Sequence, residues 1–347
     1  MSLETIRSAV RLVIDSHLVK ERLCVVWHAG EPLVLPVQYY DEAFAAIQET
    51  VVSRCEISHS IQSNGTLIDD LWCQFLMKHR VRIGLSIDGP ALIHDAHRKT
   101  RNGKGSHALA MRGVQKLKEC GIPFHVIAVI SADSLDHAGV IYRFFEELGV
   151  RELGFNVEEL EGVHSTSSLN DKLIAEKIEK FWFQLYETWE ASGRSIEVRE
   201  FVRATRAILF SKVDRPWTEV AQNNDQVLPF RIISVDCLGN LSTFSPELLG
   251  TCDPNYANFN FGKVGRDHLM TIRSSPAFQK AAMDIWAGVD ACAKSCEFYC
   301  VCGGGAPANK YFENHTFLST ETMHCRASIQ MPTSAVLSAL ERRVSNP

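Results

Sequence analysis

The last third of the chain gathers cysteines in a pattern that suits metal chemistry. Seven of the eleven cysteines lie there; Cys292 and Cys296 are four residues apart, Cys302 follows after six more and Cys325 after a further 23. Soft thiolates grouped in this way bind zinc or an iron–sulfur cluster. The spacing alone does not choose between these two metals, and a set of buried inert thiols is the third interpretation.

Three further cysteines near this group, Cys237, Cys252 and Cys300, are candidates for a second cluster. The run Gly303–Gly305 would let the backbone wrap tightly and point amides at sulfur, which tunes a cluster. The four cysteines of the first two thirds are scattered singly and are expected to be small buried hydrophobes. A cytoplasmic location is the default expectation, and because cytosolic thiols stay reduced, the dense group argues for metal rather than disulfides.

Polar residues also follow several apolar runs earlier in the chain, where strands are expected to end. Gly30 would let the main chain approach a ligand closely. Arg98 could pair with a carboxylate through two hydrogen bonds. The candidate ligand-binding residues of these turns are Gly30, Glu31, Gln62, Asn64, Ser86, Asp88 and Arg98, with Val129 as an apolar wall for a flat ring. Each turn taken alone is better explained as a good turn former, whereas several in register on consecutive strand ends favour a common ligand.

The elements that position these residues alternate between strand-like runs and amphipathic helices. Five strands, at 22–30, 56–65, 82–90, 123–131 and 152–159, recur every 25 to 35 residues and are each followed by a helix. This rhythm predicts parallel βα units in an α/β fold, with ligands at the carboxyl-terminal edge. A partial barrel and a doubly wound sheet both fit it. The rhythm stops near residue 220, which predicts domains over 1–222 and 223–347.

Composition narrows the class of protein. Hydrophobic residues make up 46% of the 347 and charged residues 22%, as in globular proteins. A net charge of −5 does not indicate nucleic-acid binding, and no apolar run is long enough to span a bilayer. The amphipathic amino terminus does not resemble a secretory signal.

Several motifs together resemble the radical S-adenosylmethionine enzymes that carry a cysteine-rich SPASM extension. These motifs are WHAGEP (27–32), QSNGTLI (62–68), SIDGP (86–90), HDAHRKTRNGKGS (94–106) and the tail CAKSCEFYCVCGGGAPANK. The sequence is most similar to the cyclophane-forming maturases of glycine-rich-repeat peptides, within the anaerobic sulfatase-maturase-like superfamily. GFNVEELEG and STETMHCR extend that likeness along nearly the whole chain.

The resemblance implies a partial (β/α)6 barrel that binds S-adenosylmethionine against a [4Fe-4S] cluster, followed by the SPASM domain. A 5′-deoxyadenosyl radical would then abstract hydrogen from a ribosomally made precursor peptide, with a flavodoxin or ferredoxin as electron donor. Gly30 and Glu31 would lie at the methionine amine and Arg98 at its carboxylate, while the nucleoside would be lined by Gln62, Asn64, Ser86 and Asp88.

In the tail, the resemblance assigns an auxiliary cluster to Cys292, Cys296, Cys302 and Cys325. It leaves the second auxiliary cluster doubtful, because Phe244 and Ala306 stand where the family has cysteines. No residue is assigned as catalytic acid or base. Carboxylates and histidines near the strand ends are candidates only, and a structural or orienting role is expected for each: Glu31, Asp88, Asp95, Glu158, His28, His94 and His97.

The sequence departs from the family at its start, because the CxxxCxxC motif that holds the radical-generating cluster is absent. We expect the chain to be truncated and to lack the first barrel strand, since a natural protein without that strand would expose a sheet edge. A degenerate binding protein is the alternative, and the chain as given is expected to be inactive. Two other functions stay open: formylglycine formation on a sulfatase, and a non-catalytic zinc-stabilised protein that binds peptides.

Overall fold

The structure, a computed structural model, describes residues 1–52, 54–160, 166–169, 172–210 and 216–345. The last two residues of the motif GFNVEELEG fall outside these ranges. Parallel strands alternate with helices in the first part, in the order α1 Leu3–Asp15, β1 Arg22–Trp27, α2 Val37–Val51, β2 Glu56–Ser63, α3 Asp70–His79, β3 Arg82–Ser86, α4 Ala91–His97, α5 His107–Glu119, β4 Phe124–Ile130, α6 Ala138–Glu147, β5 Glu152–Val157, α7 Lys172–Ala191, β6 Glu197–Val198 and α8 Arg199–Phe210.

The second part is built from short strands and helices. They are α9 Trp217–Ala221, β7 Ile233–Val235, β8 Asn240–Thr243, β9 Gly262–Lys263, α10 Leu269–Arg273, α11 Pro276–Ser295, α12 Tyr299–Cys302, α13 Pro307–Asn314, α14 Met323–Cys325 and α15 Met331–Ser345. A π-helical segment, Arg326–Gln330, joins the last two helices.

The six strands of the first sheet lie side by side in chain order, from β1 to β6, and every pair is parallel. A doubly wound sheet would instead reverse its strand order at a switch point. The sequential order therefore confirms the partial barrel and excludes the doubly wound alternative.

Strand residues alternate between the barrel interior and the surrounding helices. On β4, Val126, Ala128 and Ile130 are fully buried in the hydrophobic core, whereas His125 and Ile127 are partly exposed to an interior cavity. The β-sheet period of two places the neighbours Gln62, Gly84 and His125, which are paired in register, on the same interior face. The helices thus supply the hydrophobic core, while the barrel interior carries polar groups.

The second part has its own small sheet and core. Strands β7, β8 and β9 form an antiparallel sheet, and Phe244, Phe259 and Phe278 belong to a core that also contains residues of α11. The cysteine-rich turns follow α11 directly. This core holds α11 in place and so positions the turns that carry the cysteines.

The carboxyl-terminal helix returns to the barrel. Ala335, Val336 and Ala339 of α15 belong to the barrel core, and the indole nitrogen of Trp182 donates to the Ala327 carbonyl at 2.7 Å. The division into 1–222 and 223–347 stays a prediction, with this last helix packed on the first part. Within the described ranges, no helix is long and apolar enough to cross a membrane.

Candidate functional site

The carboxylate of Glu31 fastens the loop after β1 to the loop after β2. Positive φ angles at Ala29 and Gly30, 71° and 62°, turn the chain so that Glu31 reaches across. Its Oε1 accepts hydrogen bonds from the Leu33 amide at 3.0 Å and the Ser63 hydroxyl at 2.8 Å, and its Oε2 accepts from the Asn64 amide at 2.8 Å. Glu31 therefore positions the rim next to the turn at Gly30.

The side chain of Asn64 bonds within its own turn. Its Oδ1 accepts from the amide and the hydroxyl of Thr66, at 2.9 and 2.7 Å. This is the Asx-turn arrangement that favours asparagine in tight turns. Asn64 can offer a ligand its Nδ2 group alone.

Gln62 and Ser86 meet on the interior face of the barrel, where the Gln62 Nε2 group donates to the Ser86 hydroxyl at 3.0 Å. Gly84 provides the space for this pair. A Cβ atom at Gly84 would lie 2.1 Å from Gln62 Oε1 and 2.4 Å from His125 Nε2. The predicted nucleoside-binding groups of strands β2 and β3 are thus brought together.

Asp88 is a buried carboxylate, 5% exposed, that joins three segments of the rim. It accepts two hydrogen bonds from the Arg98 guanidinium, at 2.6 and 3.0 Å, and one from the Val129 amide at 2.9 Å. Three predicted ligand residues therefore contact one another. The carboxylate partner of Arg98 in this structure is Asp88 itself.

His94 contacts the main chain of Asp88 and so stabilises this part of the rim. Its Nδ1 accepts from the Asp88 amide at 3.4 Å, and its Nε2 lies 3.0 Å from the Ser106 hydroxyl. Burial lowers the pKa of His94 to about 4, so the ring is neutral at neutral pH. His94 is a structural residue of the rim, as expected.

The other residues that sequence analysis weighed as acids or bases have local partners. Asp95 accepts from the His107 amide at 2.8 Å, His97 lies 3.2 Å from Asp133, and Glu158 accepts from the Ser168 amide at 2.6 Å. His28 lies in the turn after β1. No catalytic acid or base is assigned among them.

Sequence analysis did not find two polar residues of this interior, Asn156 and Arg199, which contact each other. Asn156 of β5 is in register with Val129, and its Oδ1 accepts from Arg199 Nη2 at 3.0 Å. A Cβ atom at Gly154 would lie 2.9 Å from the Arg199 guanidinium carbon, so glycine leaves room for that side chain. The Gly-x-Asn spacing within GFNVEE is the signal that could have identified this face of β5.

The four cysteines of the tail line one cavity of about 970 Å³, which continues into the barrel. Cys300 lines it too, whereas Cys237 and Cys252 are exposed elsewhere. All eleven cysteines, each within the described ranges, are free thiols. In the same part of the chain, no three His, Cys, Asp or Glu side chains are close enough to hold a single metal ion.

The surroundings of the four thiols suit a bound iron–sulfur cluster. Burial raises the pKa of Cys296, Cys302 and Cys325, the last to about 12, while amide donors from Gly304 and Gly305 oppose the rise at Cys302. Metal binding would displace these protons. The donor set fits a [4Fe-4S] cluster: four thiols face one cavity, with amides available to their sulfurs.

Positive side chains face the cysteines across this cavity. Arg199, Arg203 and Arg206 lie at helical spacing on α8 and line the cavity wall. Lys310 lines it beside Cys292, with Nζ and Sγ 3.2 Å apart. Such charges stabilise thiolate over thiol and compensate the negative charge of a thiolate-bound cluster.

Glu159 connects the end of β5 to the cysteine-rich part. The Asn309 amide donates to its carboxylate at 2.7 Å, and His324 Nε2 lies 3.5 Å away. Burial raises the pKa of Glu159 to about 7 and lowers that of His324 to about 4. Sequence analysis did not distinguish Glu159, since its partners lie about 150 residues away.

Comparison with known proteins identifies the class. The Radical SAM superfamily model matches residues 2–145. An uncharacterized protein, sll1766, of Synechocystis is 38% identical over 98% of this chain and 85% of its own length. The serine-type anaerobic sulfatase-maturating enzyme of Klebsiella aerogenes is 32% identical over 47% of this chain and 40% of its own.

Two solved structures share the fold. Native anSMEcpe with bound AdoMet superposes with a TM-score of 0.76 at 20% identity, covering all of this chain and 90% of that one. Streptococcus suis SuiB bound to the precursor peptide SuiA gives a TM-score of 0.61 at 14% identity, covering 93% and 69%. The chain belongs to the radical SAM superfamily. Within it, the protein is a homologue of the radical SAM/SPASM maturases, a family of enzymes.

Proposed function

We propose that this protein takes part in the radical-based modification of a ribosomally made precursor peptide and binds S-adenosylmethionine at the barrel rim. The observation that carries this proposal is the convergence of the rim residues. Gln62 contacts Ser86, and Asp88 joins Arg98 to Val129, so predicted ligand groups from three strand ends are neighbours. Peptide binding is proposed because SuiB, which shares the fold, has been solved bound to its precursor peptide SuiA.

Each rim residue has a defined part in binding. Gly30 leaves its main chain accessible for the methionine amine, since a Cβ atom there would meet nothing within 4 Å. Arg98 donates two of its N–H groups to Asp88, and its remaining N–H groups would bind the methionine carboxylate. Ser86 and Asn64 offer a hydroxyl and an amide to the nucleoside, and Val129 packs against its base.

We further assign an auxiliary [4Fe-4S] cluster to Cys292, Cys296, Cys302 and Cys325, within a SPASM domain that begins near residue 223. When bound, such a cluster supplies one-electron redox chemistry. The thiols orient it, the Gly304 and Gly305 amides bond to sulfur, and α11 fixes the first ligand. Free thiols at all eleven cysteines agree with a reducing cytoplasm. An electron donor of the flavodoxin or ferredoxin class is proposed from the resemblance to the radical S-adenosylmethionine enzymes.

The product proposed is a carbon–carbon cyclophane cross-link at an aromatic residue of the peptide. Formylglycine formation is the second candidate, favoured by the 32% identity to a sulfatase-maturating enzyme. A cross-link and the oxidation of serine to formylglycine both remove two hydrogens, whereas formylglycine formed from cysteine also loses the sulfur. Tandem mass spectrometry with a carbonyl-reactive label separates them, because formylglycine is an aldehyde and a cross-linked peptide carries no aldehyde. A zinc-stabilised peptide-binding protein is the third candidate.

The test uses the complete gene product, purified and reconstituted without oxygen. Iron and sulfide, together with release of 5′-deoxyadenosine from S-adenosylmethionine under dithionite, are the expected results. Zinc without iron would favour the binding protein instead. A reconstituted protein that holds iron and sulfide yet never cleaves S-adenosylmethionine would contradict the radical function.

A further inference from the structure

The ammonium group of Lys310 is buried against a cysteine sulfur. Lys310 lies on α13 and is 5% exposed. Its Nζ donates to the Gly288 carbonyl at 2.9 Å and to Cys292 Sγ at 3.2 Å. Among the residues that the structure describes, no carboxylate forms an ion pair with it. The sulfur of Cys292 is therefore the atom within its reach that can carry a compensating negative charge.

The fold is shaped to admit this side chain. A Cβ atom at Gly288 would lie 2.0 Å from the Phe317 carbonyl oxygen, which requires glycine there, and 3.3 Å from Lys310 Nζ, so the ammonium group lies close to the backbone of α11. Gly288 and Cys292 lie one helical turn apart on α11, and both of the atoms that accept from Lys310 belong to these two residues. A buried cation without a compensating charge is strongly disfavoured, which makes a thiolate the appropriate partner.

The other neighbours of the Cys292 sulfur would not stabilise negative charge. Carbonyl oxygens of Gly304, Ser319 and Thr320 lie 3.9, 3.8 and 3.7 Å from it. These oxygens carry partial negative charge and are acceptors only. The positive charge of Lys310 is therefore the feature of these surroundings that favours the anionic form of the Cys292 sulfur.

We propose that Lys310 is a positioning residue for the auxiliary cluster, holding Cys292 as its ligand and raising the reduction potential of that cluster. The proposal rests on the assignment of the four cysteines to a cluster. Reduction adds an electron to an already anionic group, and a fixed buried cation beside a ligand sulfur stabilises the reduced form more than the oxidised form. Removal of that charge should therefore lower the potential.

The chain offers a matched control on α11, the helix that carries Cys292. Lys294 lies between Cys292 and Cys296 in sequence, but its side chain is 73% exposed and its Nζ pairs with Asp290 at 2.5 Å. Water screens an exposed charge, so Lys294→Met removes the same charge with little effect on a buried group. Lys310→Met removes the buried charge, and Lys310→Arg restores a positive charge at that position.

The experiment is a dithionite titration of the reconstituted full chain, followed by electron paramagnetic resonance and visible absorption. Iron, sulfide and the far-ultraviolet circular dichroism spectrum are measured for every variant. We expect Lys310→Met to shift the midpoint of the auxiliary cluster to lower potential, Lys294→Met to leave it unchanged and Lys310→Arg to return it towards the wild-type value. Loss of iron from a folded Lys310→Met protein, with retention in Lys310→Arg, would equally support the proposal.

An unchanged midpoint in Lys310→Met with full iron content would overturn the proposal, as would equal effects of the Met and Arg variants. Unfolding of Lys310→Met and Lys310→Arg alike would also overturn it, because the side chain would then serve packing rather than charge. Absence of iron from the wild-type protein is a different result, since it contradicts the cluster assignment itself.

Discussion

The guanidinium of Arg98 holds the carboxylate of Asp88 through two hydrogen bonds, Nε to Oδ2 at 2.6 Å and Nη2 to Oδ1 at 3.0 Å. The Asp88 side chain is 6% exposed and that of Arg98 is 28% exposed, so the pair is largely shielded from water. The same carboxylate accepts from the Val129 amide. Together with the Val129 contact, this pair fixes the loop after β3 against the end of β4.

The buried pair at Asp88 is expected to matter for both stability and ligand binding. Asp88→Asn removes the charge that compensates Arg98, and breaking such a buried pair costs about 3 kcal/mol of unfolding free energy. Urea denaturation measures the loss, and calorimetry should show weaker binding of S-adenosylmethionine. The exposed Asp133→Asn is the control, with little expected change; equal stabilities of the two variants would contradict the role of the pair.

The space beside Gly84 is expected to be essential for the arrangement of the barrel interior. Gly84→Ala places a Cβ atom 2.1 Å from Gln62 Oε1 and 2.4 Å from His125 Nε2, so both side chains must move; because the displaced atoms are side-chain ends, the cost is expected at the low end of the overpacking range, about 1 kcal/mol. Displacing Gln62 from Ser86 should also weaken S-adenosylmethionine binding by about tenfold or more, which corresponds to about 1.4 kcal/mol. Calorimetry and urea denaturation check both effects.

Gly139→Ala is the matched control for this substitution. Gly139 lies on α6, and its nearest neighbours to a Cβ atom are 3.4 Å away, an ordinary contact. An alanine in a helix is favoured by about 0.5–1 kcal/mol over glycine, so this variant should be as stable as the wild type or more so. Equal binding of S-adenosylmethionine by the Gly84 and Gly139 variants would contradict the proposal that this ligand binds beside Gln62 and Ser86.

Replacement of single cysteines separates the proposed ligands from the remaining thiols. Cys302→Ser removes a thiol at the amides of Gly304 and Gly305 and should cost the protein the iron of one cluster, because serine is a poor replacement for a soft ligand. Cys237→Ser, at an exposed site away from the cavity, should keep the full iron content. Iron and sulfide analysis of both variants after anaerobic reconstitution measures this difference. Loss of iron from the Cys237 variant would indicate a second cluster.

Acid is expected to destabilise the rim through His94. Its pKa is about 4 in the folded protein and ordinarily 6.5, so between these values the unfolded chain binds more protons. Stability from the neutral ring is complete above pH 6.5 and is lost as pH falls towards 4, to an extent on the order of 3 kcal/mol.

His94→Asn removes this titration while keeping a hydrogen-bond acceptor near the Asp88 amide. Urea denaturation of both proteins at pH 7.5 and pH 5 should therefore show a smaller loss for the variant. The comparison cancels the other histidines, which titrate in both proteins. An identical pH dependence would mean that His94 is as accessible to protons in the folded state as in the unfolded state.

The sequence by itself determined the elements and the residues at their ends. Local hydrophobic periodicity predicts each strand and helix, and the residues that follow a parallel strand must lie at one edge of the sheet. Gln62, Ser86 and Asp88 were found for this reason. The spacing of Cys292, Cys296, Cys302 and Cys325 likewise predicted that they would face a common space.

Tertiary structure alone decided which of these groups contact one another. The pairing of Arg98 with Asp88, the approach of Lys310 to Cys292 and the contact of Asn156 with Arg199 depend on how separate segments pack. The return of α15 to the barrel depends on apolar surface contributed by α7 and α8, more than a hundred residues earlier. Periodicity reports which face of an element is buried, whereas the partner of a polar group is set by distances in space that spacing along the chain does not encode.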